Sequence, residues 1–595
     1  EDPEQGTREK LRGPPAWPGE VVVPRSLVEL IRRGLAPQPA DRWPSMDALL
    51  ARLERVRPGR PRGGSARRAL GVAVVTSGVA GLWLWHEAEG ASRCTGAQER
   101  LATVWDAERA EAVRRGLEAA GAVHLEETWP RVEQRLDAYA EHWVAAHTEA
   151  CEATTVRAEV GPGVLDDRMA CLERARVELR SLVGLLSDPG AELASQAVAL
   201  AAGLPLPARC MEAPAAQGEL PLPADPALAA QSTALREALT EVKALQLARK
   251  YDEALARVEP LIERAHASGD GALEGVGLFR RGLLHSLRGE QEAAEADLLR
   301  AHSLAVEHGY PRLVQQAASQ LAFVVGHRQA RPVEGLRWAN AGVAEAQRVA
   351  PGGMLEADAR DSLAVVLHMQ GRYDEAVAEQ RRSLELWQQA VLDGEADELD
   401  VAGATDALGN LVMEQGRAEE AVQLHRRVLE LRERMLGPSH LDVANSLNNL
   451  GSALMAQDRT DEALGLLQRA LAIREQVLGP DAPALVSVLV NLGGLLSDQG
   501  RPRDAQPYLE RGLAIARARL GEDHPYVGSA LVNLGAVHRE LGELEEARRY
   551  FELCRVTWER SLGADHPKIA LVLSSLAELD RDAGRLDQAE PRYER

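Results

Sequence analysis

One spacing constrains this chain more than any other feature. Leu450, Leu492, Leu534 and Leu576 stand 42 residues apart, and so do Ala463, Ala505, Ala547 and Ala589, and Gly437, Gly479, Gly521 and Gly563. A fixed period of this length means one supersecondary unit repeated. Such a unit is too small to bury its apolar face alone, so it stacks on its neighbours as a solenoid. Each unit reads as an apolar helix, a turn, a second apolar helix and a connector. The connectors are Leu-Gly-Pro-Asp-Ala-Pro (478–483), Leu-Gly-Glu-Asp-His-Pro (520–525) and Leu-Gly-Ala-Asp-His-Pro (562–567). Earlier units are looser. Gly371–Ala376 and Gly416–Ala421 mark two turns 45 residues apart, and Leu287–Glu290 and Lys250–Ala254 mark others. The spacing predicts roughly eight to nine units over 231–595, the last one stopping inside its second helix at Arg595, as a fragment would. No alternating run favours strands, so the expected class is all-α.

The residues of one unit carry a resemblance. Leu447, Leu450-Gly451 and Leu454 are followed by Asp461-Glu462-Ala463, Leu467 and Ala470. This is similar to the tetratricopeptide repeat, in which small residues mark close contact between two helices. The usual unit has about 34 residues. The 42-residue form resembles the kinesin-light-chain type. The resemblance implies a superhelical array whose first helices line a concave groove, and a protein or peptide as the partner in that groove. It also singles out Asn410, Asn448, Asn449, Asn491 and Asn533 on first helices, because Asn there can bond the backbone of an extended peptide with both a donor and an acceptor. The alternative for these residues is hydrogen bonding between helices within the array.

Charge divides the chain. Residues 1–68 hold 14 Lys and Arg against 9 Asp and Glu, while the remainder holds 55 against 81. An array this acidic is a poor nucleic-acid binder, since phosphate contacts need cations gathered on one face.

Residues 24–56 read as two short helices joined by a Pro-rich turn, Pro37 to Pro44. The Pro39-x-x-Arg42-x-Pro44-Ser45 context resembles the end of a serine/threonine protein kinase domain, here 1–56. The resemblance implies that Arg42 is structural, pairing with the Glu of an Ala-Pro-Glu motif. The Gly loop, strand Lys, His-Arg-Asp and Asp-Phe-Gly elements of that family are absent from the sequence. The fragment therefore offers no catalytic residues and no cofactor site, and ATP and magnesium belong to a parent kinase upstream. Residues 57–68 form a basic linker. Ala69–Trp85 follows, 17 residues without a charge. As a helix it spans about 25 Å, near the lower limit for crossing a membrane. The basic flank on its N-terminal side and Trp83 and Trp85 at its end predict one transmembrane helix, cytoplasmic on the N-terminal side. The layout resembles receptor-like kinases of soil bacteria such as myxobacteria. It implies an inner-membrane, single-pass signalling protein with 86–595 extracytoplasmic. The competing reading is a non-catalytic tetratricopeptide scaffold.

Residues 86–203 read as a small helical bundle. Trp129, Val132, Leu136, Tyr139 and Trp143 share one helix face, and Leu165, Met169, Leu172, Leu179, Leu182 and Leu186 another. Cys94, Cys151, Cys171 and Cys210 are candidates for disulfides, with three possible pairings. None has the Cys-x-x-Cys spacing of a zinc site, and no metal site is expected. Residues 204–230 are Pro-rich and read as a linker. Asp523-His524 and Asp565-His566 recur with the repeat, which points to connectors in which Asp caps the next helix and Pro starts it.

Overall fold

The computed structural model describes residues 94–211 and 225–594, apart from Val123, Ala158, Ala248, Asp565 and Ala583. The kinase-like stretch 1–56 with Arg42, the basic linker 57–68, the apolar run Ala69–Trp85 and most of the Pro-rich stretch lie outside the described residues. Among the described residues every regular element is helical.

The first body is the bundle. It comprises α1 (Ala97–Ala102), α2 (Ala107–Ala119), α3 (Leu125–Thr155), α4 (Pro162–Ser187), α5 (Ala191–Ala194) and α6 (Ala197–Ala202), closed by a 3₁₀ turn at Pro207–Met211. The two stripes read from the sequence meet in its core: Val132, Leu136, Tyr139 and Trp143 of α3 lie against Leu172, Leu179, Leu182 and Leu186 of α4. Buried polar tips are satisfied across this seam. Trp143 Nε1 donates to the Leu172 carbonyl at 2.7 Å and the Tyr139 hydroxyl to the Ala175 carbonyl at 3.1 Å. Disulfides join Cys94 to Cys151 and Cys171 to Cys210, tying the start of the bundle to α3 and α4 to the 3₁₀ turn.

Nine helix pairs follow among the described residues. They are α7 (Pro226–Leu247) with α8 (Tyr251–Ala267), α9 (Gly271–Arg288) with α10 (Gln291–Glu307), α11 (Pro311–Leu321) with α12 (Pro332–Val349), α13 (Met354–Met369) with α14 (Tyr373–Leu392), and α15 (Glu398–Glu414) with α16 (Ala418–Leu436). Then come α17 (Leu441–Met455) with α18 (Thr460–Leu478), α19 (Leu485–Asp498) with α20 (Pro502–Leu520), α21 (Pro525–Glu540) with α22 (Leu544–Leu562), and α23 (Pro567–Asp582) with α24 (Leu586–Glu594). The helical run of α11 continues through a π-type segment at Ala322–Arg328. The array opens at Pro226, inside the stretch that reads as linker.

The period has a packing cause. Leu450, Leu492, Leu534 and Leu576 are 0–3 % exposed, and Ala463, Ala505 and Ala547 are 0 % exposed. They belong to one apolar cluster running from Ala322 to Leu579. Next to Leu450, Leu492 and Leu534 a glycine receives a bulky side chain of its partner helix, whereas Ala577 follows Leu576. A Cβ on Gly451 would lie 2.9 Å from Leu467, on Gly493 2.4 Å from Leu509, and on Gly535 2.6 Å from Phe551. Carbon atoms prefer about 3.5–4.0 Å, so only glycine allows the two helices this approach. The turn inside each pair needs a left-handed residue. Gly416, Gly500, Gly542 and Gly584 adopt φ of 70–81°, and Asp458 fills the same register at φ 58°.

The connectors depart from expectation in one respect. The helix cap is the His, and at 523–524 it is not the Asp before it. His440 Nδ1 accepts from the Asp442 N–H at 3.1 Å, His524 from Tyr526 at 3.2 Å and His566 from Lys568 at 3.2 Å. Imidazole Nδ1 reaches the second N–H of the helix, leaving Asp523 to face Arg560 at 3.4 Å.

The transmembrane part of the expected fold is corrected here, and with it the single-pass inner-membrane placement. No helix among the described residues is long and apolar enough to cross a membrane. The apolar stripes of the described helices are used against neighbouring helices.

Candidate functional site

First helices of most neighbouring pairs pack side by side, whereas second helices meet mainly their own partner and the next first helix. The more closely packed layer is the inner side of the array, so the first helices form its inner face. The predicted asparagines lie on these helices. Asn410, on α15, is exposed. Asn448 of α17 is 8 % exposed, while Asn449, Asn491 and Asn533 are half-buried.

The structure joins four of them in a row that runs from repeat to repeat. Asn449 Nδ2 donates to Asp406 Oδ1 at 3.2 Å, Asn491 Nδ2 to Asn448 Oδ1 at 3.0 Å, and Asn533 Nδ2 to the Val490 carbonyl at 3.4 Å. Each bond reaches back 43 residues, one repeat and one position. The Nδ2 donors of Asn449, Asn491 and Asn533 thus bond within the array, and Asn410 is the exposed member. The same reach recurs earlier, where Gln315 Nε2 donates to Asp358 Oδ2 at 3.0 Å.

Three carboxylates sit in this row, and the sequence reading did not single them out. Asp406 accepts from His425 at 3.0 Å and faces Arg432 at 3.1 Å. Burial pushes its carboxyl up, but the His425 bond and the Arg432 charge outweigh that and hold it below the usual range. Arg432 also donates to Ser446 Oγ at 2.8 Å, so the cluster ties α16 to α17. Asp361 lies one repeat earlier, where Gln380 and Trp387 replace His425 and Arg432. They donate to it at 2.6 and 3.1 Å. Neutral donors compensate burial less than cations do, and burial raises its carboxyl. Asp358, one turn away, is recessed in the inner face while its side chain still reaches solvent. Its carboxyl is raised by those surroundings, against the Gln315 bond and the Arg312 charge. Their signal in the sequence was an acidic residue, 361 and 406, at a register that later repeats fill with Asn448 and Val490.

Among the described residues no group of His, Cys, Asp and Glu is arranged to hold a metal ion. The His147 and Cys151 pair is not a ligand set, since Cys151 is in a disulfide and the His147 ring lies tilted against Trp143 at 5.0 Å between centroids. Cys554 is buried, donates to the Gly528 carbonyl at 3.2 Å, and has its thiol pushed up to about 12 by burial.

Comparison with known proteins agrees with this geometry. The tetratricopeptide repeat family matches residues 357–393 and, in overlapping segments, 400–595. No curated protein matches. Similar solved structures include the putative kinesin light chain nearly identical TPR-like repeats of Podosopora anserina, at 24 % identity over 32 % of this chain and 90 % of that one, TM-score 0.28. BtubC (BKLC) from P. vanneervenii is 19 % identical over 37 % of this chain and 88 % of that one, TM-score 0.32. The apo quorum sensor NprR from B. thuringiensis is 14 % identical over 58 % of this chain and 95 % of that one, TM-score 0.44. Over the matched residues the inner face is that of tetratricopeptide repeats, an array suited to protein binding.

Proposed function

We propose that the chain is a docking scaffold that receives an extended protein segment along the inner face of its first helices. The observation that carries this is the polar row of that face. It presents carboxylates and carboxamides at one-repeat intervals, with the side chains of Asp358 and Asn410 open to solvent. The internal bonds of the row hold successive first helices in register, so the surface is preorganised before a partner arrives, which lowers the ordering cost of binding. Asn410 is the first candidate to bond a partner's backbone, and Asn449, Asn491 and Asn533 would do so with the bonding capacity their row leaves over.

The test is a selection of displayed peptides on the immobilised chain, followed by titration of a selected peptide. Under this reading the Asp358→Ala and Asn410→Ala variants each weaken binding several-fold, and Arg382→Ala, on a second helix, leaves it unchanged. Equal effects at all three positions, or no saturable peptide, would overturn it.

A second reading rests on Pro39-x-x-Arg42-x-Pro44-Ser45, the stretch similar to the end of a kinase domain. In it the array is the recognition part of a serine/threonine kinase. This chain's own residues do not fit ATP and magnesium, so no catalytic step is assigned to them. Sequencing the gene upstream of Glu1 decides it: His-Arg-Asp and Asp-Phe-Gly motifs in frame support the kinase, and their absence removes it.

A further inference from the structure

Two seams between second helices repeat one ion pair, and a third seam lacks it. Arg382, Arg427, Arg469 and Arg511 each stand six residues after Ala376, Ala421, Ala463 and Ala505. On α18, Arg469 reaches back to Glu433 of α16 at 2.6 Å and donates to the Pro438 carbonyl at 2.9 Å. On α20, Arg511 repeats both contacts with Glu475 and the Pro480 carbonyl. Glu433 and Glu475 stand twelve residues after their own alanines, and at that register α14 carries the neutral Gln388. Arg427 of α16 is exposed, and among the described residues no ion pair or hydrogen bond holds it. Arg381 and Glu420 still join α14 to the start of α16, so the seam is closed at that end and open at the other. A groove of about 730 Å³ lies in the opening, floored by α15. Val391, Val401 and Leu431 line it, with Leu392, which is 80 % exposed. At its rim Arg434 pairs with Glu398, and Glu430 is exposed.

We propose that this groove docks an amphipathic helix of a partner protein, which brings a carboxylate to Arg427 and apolar side chains to Val391 and Leu392. The array itself supplies the template for the polar contact. A carboxylate against Arg427 completes the rung that Glu433 and Glu475 form with Arg469 and Arg511 in the next two seams. A guanidinium offers paired N–H donors that match carboxylate oxygens. The apolar contact follows from Leu392, an exposed side chain beside a concave apolar floor, where a covering surface releases water. The walls are helices, whose backbone groups bond within their own turns. A partner therefore has no strand edge to extend and docks through side chains, which a helix presents as a stripe at i, i+3, i+4 and i+7. The chain carries a net charge of -21, and a strongly acidic partner would be repelled by that field. The matching chemistry is one carboxylate beside an apolar stripe. This surface belongs to the outer layer of second helices and does not depend on the inner face.

The experiment is a selection of displayed helical peptides on the immobilised full chain, apolar at i, i+3 and i+7 and randomised elsewhere. Peptides that also bind the Leu392→Ser chain are removed, which discards ligands of the inner face. The survivors are titrated by fluorescence anisotropy. The expected result is saturable binding by peptides with Asp or Glu beside the apolar stripe. Arg427→Ala should weaken them about fivefold, the worth of one ion pair at a rim. Arg427 and Leu392 are exposed, so neither change disturbs the core. Gln388→Glu should weaken them at least as much, because a carboxylate at 388 takes Arg427 as Glu433 takes Arg469. Arg382→Ala, at the same register one repeat earlier and paired with Glu385 at 2.8 Å, should leave binding unchanged. No surviving peptide, survivors that require Lys or Arg, or affinity unaffected by both Arg427→Ala and Gln388→Glu overturns the assignment. Self-association of the full chain that Leu392→Ser abolishes would place a second copy in the groove and overturn it as well.

Discussion

Gly493→Ala tests the packing account at a single carbon atom. The added Cβ would lie 2.4 Å from Leu509 Cγ and 2.5 Å from its Cδ2. Contact is comfortable at about 3.5–4.0 Å, so the overlap is about 1 Å. Leu509 is 0 % exposed and has no open space to turn into. Either Leu509 leaves its rotamer or α20 moves off α19. Overpacking of this kind costs about 1–3 kcal/mol. Against it stands the better helix propensity of Ala, worth up to about 1 kcal/mol. The net expectation is a loss of about 1–2 kcal/mol. Gly494 is the internal control. A Cβ there meets only Asn533 Nδ2, at 3.5 Å, so Gly494→Ala should keep most of the propensity gain. Two adjacent Gly→Ala changes in one helix should therefore have opposite signs. A chain of this size need not unfold in two states, so the assay is hydrogen exchange of the amides of α19 and α20, supported by urea midpoints. In the Leu509→Ala background the cost of Gly493→Ala should vanish, giving a coupling energy within about 0.5–3 kcal/mol. A Gly493→Ala variant as stable as Gly494→Ala would refute the reasoning.

Other predictions follow from single features. Asp458 holds a left-handed turn that the neighbouring repeats give to glycine, and Asp458→Gly should raise stability by about 1 kcal/mol, read as a urea midpoint. His440 caps α17 through an unprotonated Nδ1. Burial lowers its pKa, with Arg432 adding to the effect and Asp442 opposing it. Its contribution is complete above the unfolded value of about 6.5 and is lost as pH falls through the lower folded value, because the unfolded chain takes up the proton first. His440→Asn keeps a cap that does not titrate, so its melting temperature should fall less steeply between pH 7 and pH 5; an unchanged slope would count against this. Each disulfide closes a loop of 39 or 57 residues, for which chain entropy gives about 4 kcal/mol. Cys171→Ala/Cys210→Ala should destabilise the bundle by roughly that amount, and four free thiols in a non-reducing mass measurement would contradict the pairing.

What the sequence revealed and what it hid follow from where the physical causes lie. The repeat was legible because each unit makes the same close contact at the same register, Gly451 with Leu467, Gly493 with Leu509 and Gly535 with Phe551. The apolar stripes of the bundle were legible for the same local reason. Partner identity was not. Asn449, Asn491 and Asn533 look equivalent in sequence, yet their acceptors lie one repeat and one position upstream, where Asp406, Asn448 and Val490 differ. The cap was assigned to the wrong residue of Asp-His because both side chains accept hydrogen bonds, and only backbone geometry selects His. The cysteine pairs depend on how α3, α4 and the 3₁₀ turn cross. The transmembrane expectation came from an uncharged run and its flanks, which lie outside the described residues, and no described helix is apolar enough to support it.

The central claim is that the inner face of the first helices is where a protein segment docks. Hydrogen exchange of the full chain with and without a selected peptide tests it most directly. Docking predicts added protection in α13, α15, α17, α19 and α21, with little change in the outward-facing turns of α14, α16, α18, α20 and α22. Protection confined to the second helices, or spread evenly over both layers, would contradict the account.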